Sequence, residues 1–201
     1  MEIPPDSPPL APLDRLRVDP ANTALLVVDV QSKLSAVMPP IEMAAVERNL
    51  LLLIELARRQ HWPVIWSEQY PKGLGATLPA LADALAAPDL DVARIEKLTL
   101  ACTDHPPFEA LRARMGRRRF VVAGMEAHVC VWQTVRGLRG HGHDVFLPVD
   151  AVISRDPRNH AIGVDLAARA GAIVSSTEAI AFDALGRAGT DDFRAISRLL
   201  K

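Results

Sequence analysis

The chain has 201 residues, 49% hydrophobic and 23% charged, with 23 basic against 24 acidic side chains and a formal charge of −1. This length corresponds to roughly one domain, which can bury about 70% of its unfolded surface without disulfide or metal staples. The charge balance argues against a dedicated nucleic-acid binder, and no apolar run reaches the ~18 residues of a membrane span.

The first segment, MEIPPDSPPLAP, has neither a basic nor an apolar signal region, so a cytoplasmic home is expected. Its prolines (Pro4, Pro5, Pro8, Pro9 and Pro12) forbid helix and donate nothing to a sheet. Residues 1–19 are therefore predicted to be a proline-rich N-terminal arm, ahead of one domain over residues 20–201. Residues 23–30 (TALLVVDV) form a nearly continuous apolar run, the pattern of a strand buried on both faces.

Residues 41–60 read as a long helix, with Glu42 early and Arg58-Arg59 late to match the helix dipole. A strand follows over 63–67, then a short one over 92–96. A helix over 108–115 stops at Gly116. A strand over 119–124 leads into a helix over 129–138, with Val131, Val135 and Leu138 on one face and Gly140 and Gly142 to break it. Strand 144–149, helix 159–170, strand 172–175 and helices 177–185 and 191–200 complete the chain. Alternating strands and helices predict an α/β fold: a doubly wound, three-layer α/β/α domain with about six parallel strands. Ligands in such folds bind outside the carboxyl ends of the strands, so the residues there carry the functional reading.

Asp29 ends the first strand, inside VVDVQ. A carboxylate there needs partners, or it caps the next turn. After the second strand, Ser67-Glu68-Gln69-Tyr70 and PKGLG form a polar, glycine-punctuated segment that suits a pocket wall or a surface loop. Lys97 follows the third strand. It is one of only four lysines among the 23 basic residues, and a compact ammonium fits beside a thiolate where a guanidinium does not. A solvated surface lysine is the plainer alternative.

Cys102 and Cys130 are too few for a disulfide framework and fit free thiols in a reducing compartment. Cys130 falls where the helix after the fourth strand begins. A helix N-terminus lowers a thiol's pKa and offers N–H groups to an oxyanion, although the position also suits an inert packing cysteine. Acid, cation and thiol from three strand ends are together more specific than any one of them, and can serve as base, thiolate partner and nucleophile. Cys102 reads as small core filler, and His141 and His143 as a solvated pair in a glycine turn. His128 suits either a substrate contact or a helix cap.

The segments ALLVVDVQSKL, WSEQYPKGLG, IEKLTLAC, VVAGMEAHVCVWQTV, VDAVISR and AGAIVSSTEAIAFDALG resemble the isochorismatase-like cysteine hydrolases, a group that includes nicotinamidases. The resemblance runs in order from about residue 14 to the C-terminus and is closest to the isochorismatase domain-containing proteins. It implies a Rossmann-type fold and a catalytic triad of Asp29, Lys97 and Cys130. It also implies a non-proline cis peptide at Met125–Glu126, with an oxyanion hole made by the backbone N–H groups of Glu126 and Cys130. Gln69, Tyr70 and His128 are the candidate substrate-binding residues.

Metal-binding relatives carry Asp-x-His where this chain has Ser67-Glu68-Gln69-Tyr70, so no metal and no cofactor are expected, and nicotinamidase activity is placed in doubt. Having Cys130 favours a covalent route over acid catalysis. The expected activity is hydrolysis of a C–N bond in a small amide-type metabolite through a Cys-thioester. The alternative is a non-catalytic binding or scaffold protein that keeps the fold. The expected partners are a small-molecule substrate and further copies of the chain, in a homo-oligomer (dimer or higher), with no nucleic acid and no membrane.

Overall fold

A computed structural model describes residues 13–200; most of the proline-rich arm, residues 1–12, lies outside the described residues. Seven strands form one parallel sheet: β1 (Thr23–Val28), β2 (Val64–Gln69), β3 (Val92–Lys97), β4 (Arg119–Met125), β5 (Asp144–Pro148), β6 (Val152–Ile153) and β7 (Ile173–Ser175). Their order is β3-β2-β1-β4-β5-β7, with β6 pairing to the end of β4. The sheet thus has one strand more than the six read from the sequence. The extra one, β6, is two residues long, too short to show a period.

All six residues of β1 are buried. Side chains alternate across a strand, so Leu25 and Val27 enter one apolar layer and Ala24, Leu26 and Val28 the other. Two single turns, α1 (Ser32–Ser35) and α3 (Pro71–Leu74), lie at the strand ends. The first layer is closed by α2 (Pro40–Arg59), α4 (Pro79–Leu85), α8 (Thr177–Leu185) and α9 (Asp191–Leu199). The second is closed by α5 (Pro106–Met115), α6 (Trp132–Gly140) and α7 (Pro157–Arg169). This is the three-layer α/β/α arrangement expected from the alternation. Among the described residues no helix is long and apolar enough to cross a membrane.

The chain leaves β1 toward β2 and β3 on one side, and returns to β4, β5 and β7 on the other. The order reverses between β1 and β4, and the crevice of a doubly wound sheet opens at that point. Gly124 on β4 makes the close approach there possible. Its φ is +124°, and a Cβ would stand 2.1 Å from the Val28 carbonyl oxygen of β1.

Several local expectations change. The described end of the arm includes a 3-10 turn, Leu13–Leu16, tied to the body by Arg15–Asp144 at 2.7 Å and Arg119–Asp14 at 3.0 Å. The helix expected over 129–138 divides into a five-residue π-helical turn, Ala127–Val131, and α6. The segment read as following the second strand is not all loop, since Ser67–Gln69 extend β2 and Pro71–Leu74 form α3. His143 is not solvated. It is buried edge-on to the Phe120 ring, with centroids 5.0 Å apart, and its Nε2 lies 2.8 Å from Arg112 Nη1.

Candidate active site

Asp29 follows β1 with a φ of 51°, a left-handed conformation that Asp tolerates better than most residues. Its side chain is wholly buried, and both oxygens are held. Ser67 Oγ, from β2, donates to Oδ1 at 2.7 Å, and Lys97 Nζ, the last residue of β3, donates to Oδ2 at 2.7 Å. The remaining donor capacity of Lys97 goes to Gln69 Oε1 at 2.9 Å and to the carbonyls of Leu100 and Thr99 at 3.0 and 3.3 Å. A buried ion pair is tolerated only when its other hydrogen bonds are satisfied, and this one is.

Cys130 sits on the π-helical turn after β4 and is 6% exposed. Burial pushes its thiol well above the ordinary range, the nearby Asp29 carboxylate pushes it further, and Lys97 pulls it partly back. This corrects the expectation of a thiol acidified by a helix N-terminus. Cys130 is the fourth residue of a π turn, not the first of an α-helix, and the charge that dominates it is a carboxylate. Burial and the neighbouring carboxylate both disfavour the ionised form of this thiol.

The peptide Met125–Glu126 is cis. The Glu126 carbonyl accepts from the N–H groups of Val129 and Val131 at 3.0 and 3.2 Å, which closes the turn. The Glu126 carboxylate accepts from the Arg155 N–H at 3.0 Å and from its Nε at 3.1 Å. Gly163 of α7 presses on the same turn, with the site of its absent Cβ 2.6 Å from the backbone of Ala127 and His128. The Cys130 backbone is therefore fixed from both ends of the turn and from behind.

The three residues singled out as substrate contacts have different surroundings. Gln69 uses both ends of its amide inside the protein, accepting from Lys97 and donating to the Leu98 carbonyl at 3.0 Å. It holds the lysine. Tyr70 is half exposed at the rim, with a φ of 38° and its ring over Gly73. His128 is half-buried, with Nδ1 3.0 Å from Ser154 Oγ.

Two further residues complete the arrangement. Gln31, fully buried, donates to the carbonyls of Gln69 at 3.0 Å and Gly75 at 2.6 Å and accepts from the Gln69 N–H at 2.8 Å. It clamps the segment after β2 to the end of β1. Cys102, fully buried, points its sulfur at Ser67 Oγ, 3.4 Å away. The signal for Gln31 was an amide directly after a buried run; for Cys102 only the folded chain supplies one.

Glu68 occupies the stretch where metal-binding relatives carry a ligand pair. It is buried and accepts from the N–H and Oγ1 of Thr77, each at 2.7 Å, and from Arg94 at 2.6 Å. Burial alone would raise this carboxyl, but these donors outweigh it and hold the group below its usual value of 4.5. Its oxygens are spent on structure.

Comparison with known proteins agrees with this architecture. The Isochorismatase domain family matches residues 23–179. The secreted isochorismatase effector Isc1 of Phytophthora sojae is 29% identical over 187 residues, 92% of this chain and 87% of that protein. The MAR1 ribonuclease of Caenorhabditis elegans superposes with a TM-score of 0.82 at 32% identity, covering 92% of each chain. The YcaC gene product of Escherichia coli, described as an octameric hydrolase of unknown specificity, shares the fold with a TM-score of 0.77 at 23% identity, over 92% of this chain and 87% of that one. With three strand-end side chains gathered at the sheet's reversal point and a family match over most of its length, this chain belongs to the isochorismatase family and has that family's hydrolase fold.

Proposed function

We propose that the chain is a cysteine hydrolase that cleaves a C–N bond in a small amide-type metabolite, with Asp29, Lys97 and Cys130 as the reacting groups. The observation that carries this reading is the buried Cys130 beside a buried carboxylate that Lys97 holds in place. A base next to a protonated nucleophile is the arrangement general-base activation needs.

Asp29 takes the Cys130 proton as the sulfur attacks the substrate carbonyl carbon. The carbonyl π pair moves to oxygen, and the N–H groups of Glu126 and Cys130 hold the oxyanion. Collapse breaks the C–N bond, the proton on Asp29 passes to the leaving nitrogen, and a thioester remains. Asp29 then deprotonates a water that attacks the thioester. The acid product leaves and the thiol regains its proton. Lys97 keeps the carboxylate fixed and offsets negative charge throughout.

Replacing Cys130 with Ser tests this, with a panel of small amides and intact-mass detection of an acyl adduct. Turnover falls by several orders of magnitude and the adduct disappears. Equal turnover by variant and parent would sink the assignment and leave the non-catalytic reading. RNA belongs in the same panel, because the worm relative is named a ribonuclease. A phosphodiester substrate has less support here. The chain carries a net −1 charge, and Lys97, the cation that acts on the thiol, is already paired with Asp29.

A further inference from the structure

The geometry points to Ser67 and Cys102 as positioning residues that fix the Asp29 carboxylate for its exchange of a proton with Cys130. This rests on the hydrolase reading above. The hydrogen-bond directions follow from chemistry alone. An ionised carboxylate only accepts, so the single hydroxyl proton of Ser67 must point at Asp29 Oδ1, 2.7 Å away. With that proton committed, Ser67 Oγ can only accept from Cys102, 3.4 Å away, so Cys102 must donate its S–H. That requires a protonated thiol, and burial does push Cys102 up to about 11, although Lys97 acts against the shift. The chain Cys102→Ser67→Asp29 therefore runs in one direction.

Its far end is anchored too. The Cys102 N–H donates to Thr134 Oγ1 of α6 at 2.9 Å, and Gly137 on the same helix leaves room for Thr103, which a Cβ would meet at 2.1 Å. α6 thus seats Cys102, which orients Ser67, which fixes Oδ1, while Lys97 fixes Oδ2 from β3. The charged or titratable groups gathered at Asp29 are Lys97, Cys102 and Cys130, each from a different segment. Between them, Ser67 and Lys97 define how Asp29 presents itself to Cys130. The second thiol serves the first without touching substrate.

The test is alkylation of Cys130 by iodoacetamide across pH, read by peptide mass, in the full chain. The parent shows two rises: an acid-side step when the carboxylate becomes available as base, and an alkaline step when the thiol ionises unaided. A carboxylate deprived of a donor holds its proton to higher pH. Ser67→Ala therefore moves the acid-side step up by about one pH unit or more, since a hydrogen bond to a charged group is worth at least that much. Ser67→Thr restores it. Cys102→Ala moves the step less in the same direction, and Cys102→Ser, which keeps a donor, returns it. A merely structural role would lower the overall rate and leave the step in place. An acid-side step that coincides in parent and Ser67→Ala overturns this inference alone. A parent profile with only the alkaline rise overturns Asp29 as the base, and the positioning chain falls with it.

Discussion

Lys97 Nζ lies 2.7 Å from Asp29 Oδ2, and neither side chain has any solvent exposure. Breaking such a pair from one side strands a buried charge, at a cost of about 3–5 kcal/mol. Lys97→Met should lose about that much in denaturant unfolding, and the double variant Lys97→Met with Asp29→Asn should recover most of it. A loss below about 1 kcal/mol in the single variant would mean water or another cation reaches the carboxylate.

Asp29→Asn should move two properties in opposite directions. The carboxylate is one of the groups that raise the Cys130 thiol, after burial itself. Without it, and with Lys97 still in place, the thiol ionises at lower pH, while turnover falls by orders of magnitude because the base is gone. Ultraviolet thiolate absorbance in a Cys102→Ser background, where a single thiol titrates, reads the first change. A thiol that ionises no earlier in the variant would remove Asp29 from its surroundings.

Gly163→Ala should reach the nucleophile from behind. The added methyl would stand 2.6 Å from the backbone of Ala127 and His128, so the turn bearing Cys130 must shift. Displacements of this size cost about a hundredfold in rate, and overpacking costs about 1–3 kcal/mol of stability. Steady-state kinetics and thermal unfolding measure the two separately. Parent-like kinetics would show that α7 yields instead.

Gln31→Leu should loosen the segment after β2. It leaves the N–H and C=O of Gln69 and the C=O of Gly75 without their partner, and each stranded group costs about 1–3 kcal/mol. Amide hydrogen exchange should quicken across residues 69–77 before it changes elsewhere. Unaltered protection there would count against the clamp.

Glu68 sets an acid limit on stability. Its carboxyl is depressed in the folded chain, so the stabilisation it brings is complete above the unfolded value near 4.5 and is lost as pH falls through the lower folded value. Glu68→Gln should flatten the pH dependence of unfolding below about pH 4.5. A slope as steep as the parent's would assign that limit to other carboxylates.

The strand-end logic made Asp29, Lys97 and Cys130 legible because each interrupts or follows an apolar run, where a polar side chain needs a reason. Their companions were hidden for a different cause. The bond from Cys102 to Ser67 spans 35 residues, and the one from Gln31 to Gly75 spans 44. No local pattern encodes such pairings. The π turn was equally invisible, because it depends on the Glu126 carbonyl receiving both Val129 and Val131. His143 looked solvated beside two glycines, yet the Phe120 ring from a distant strand covers it. Periodicity reports which face is apolar and is silent about which far segment will cover it.

Gly124 has one more consequence. With no side chain between them, β1 and β4 meet backbone to backbone just ahead of Asp29 and of the turn that carries Cys130. The starting points of both segments are therefore set by the β1–β4 ladder. Tyr70 and Leu98 stand outside that ladder, exposed on the rim. Replacing either rim side chain therefore leaves the β1–β4 backbone contact untouched.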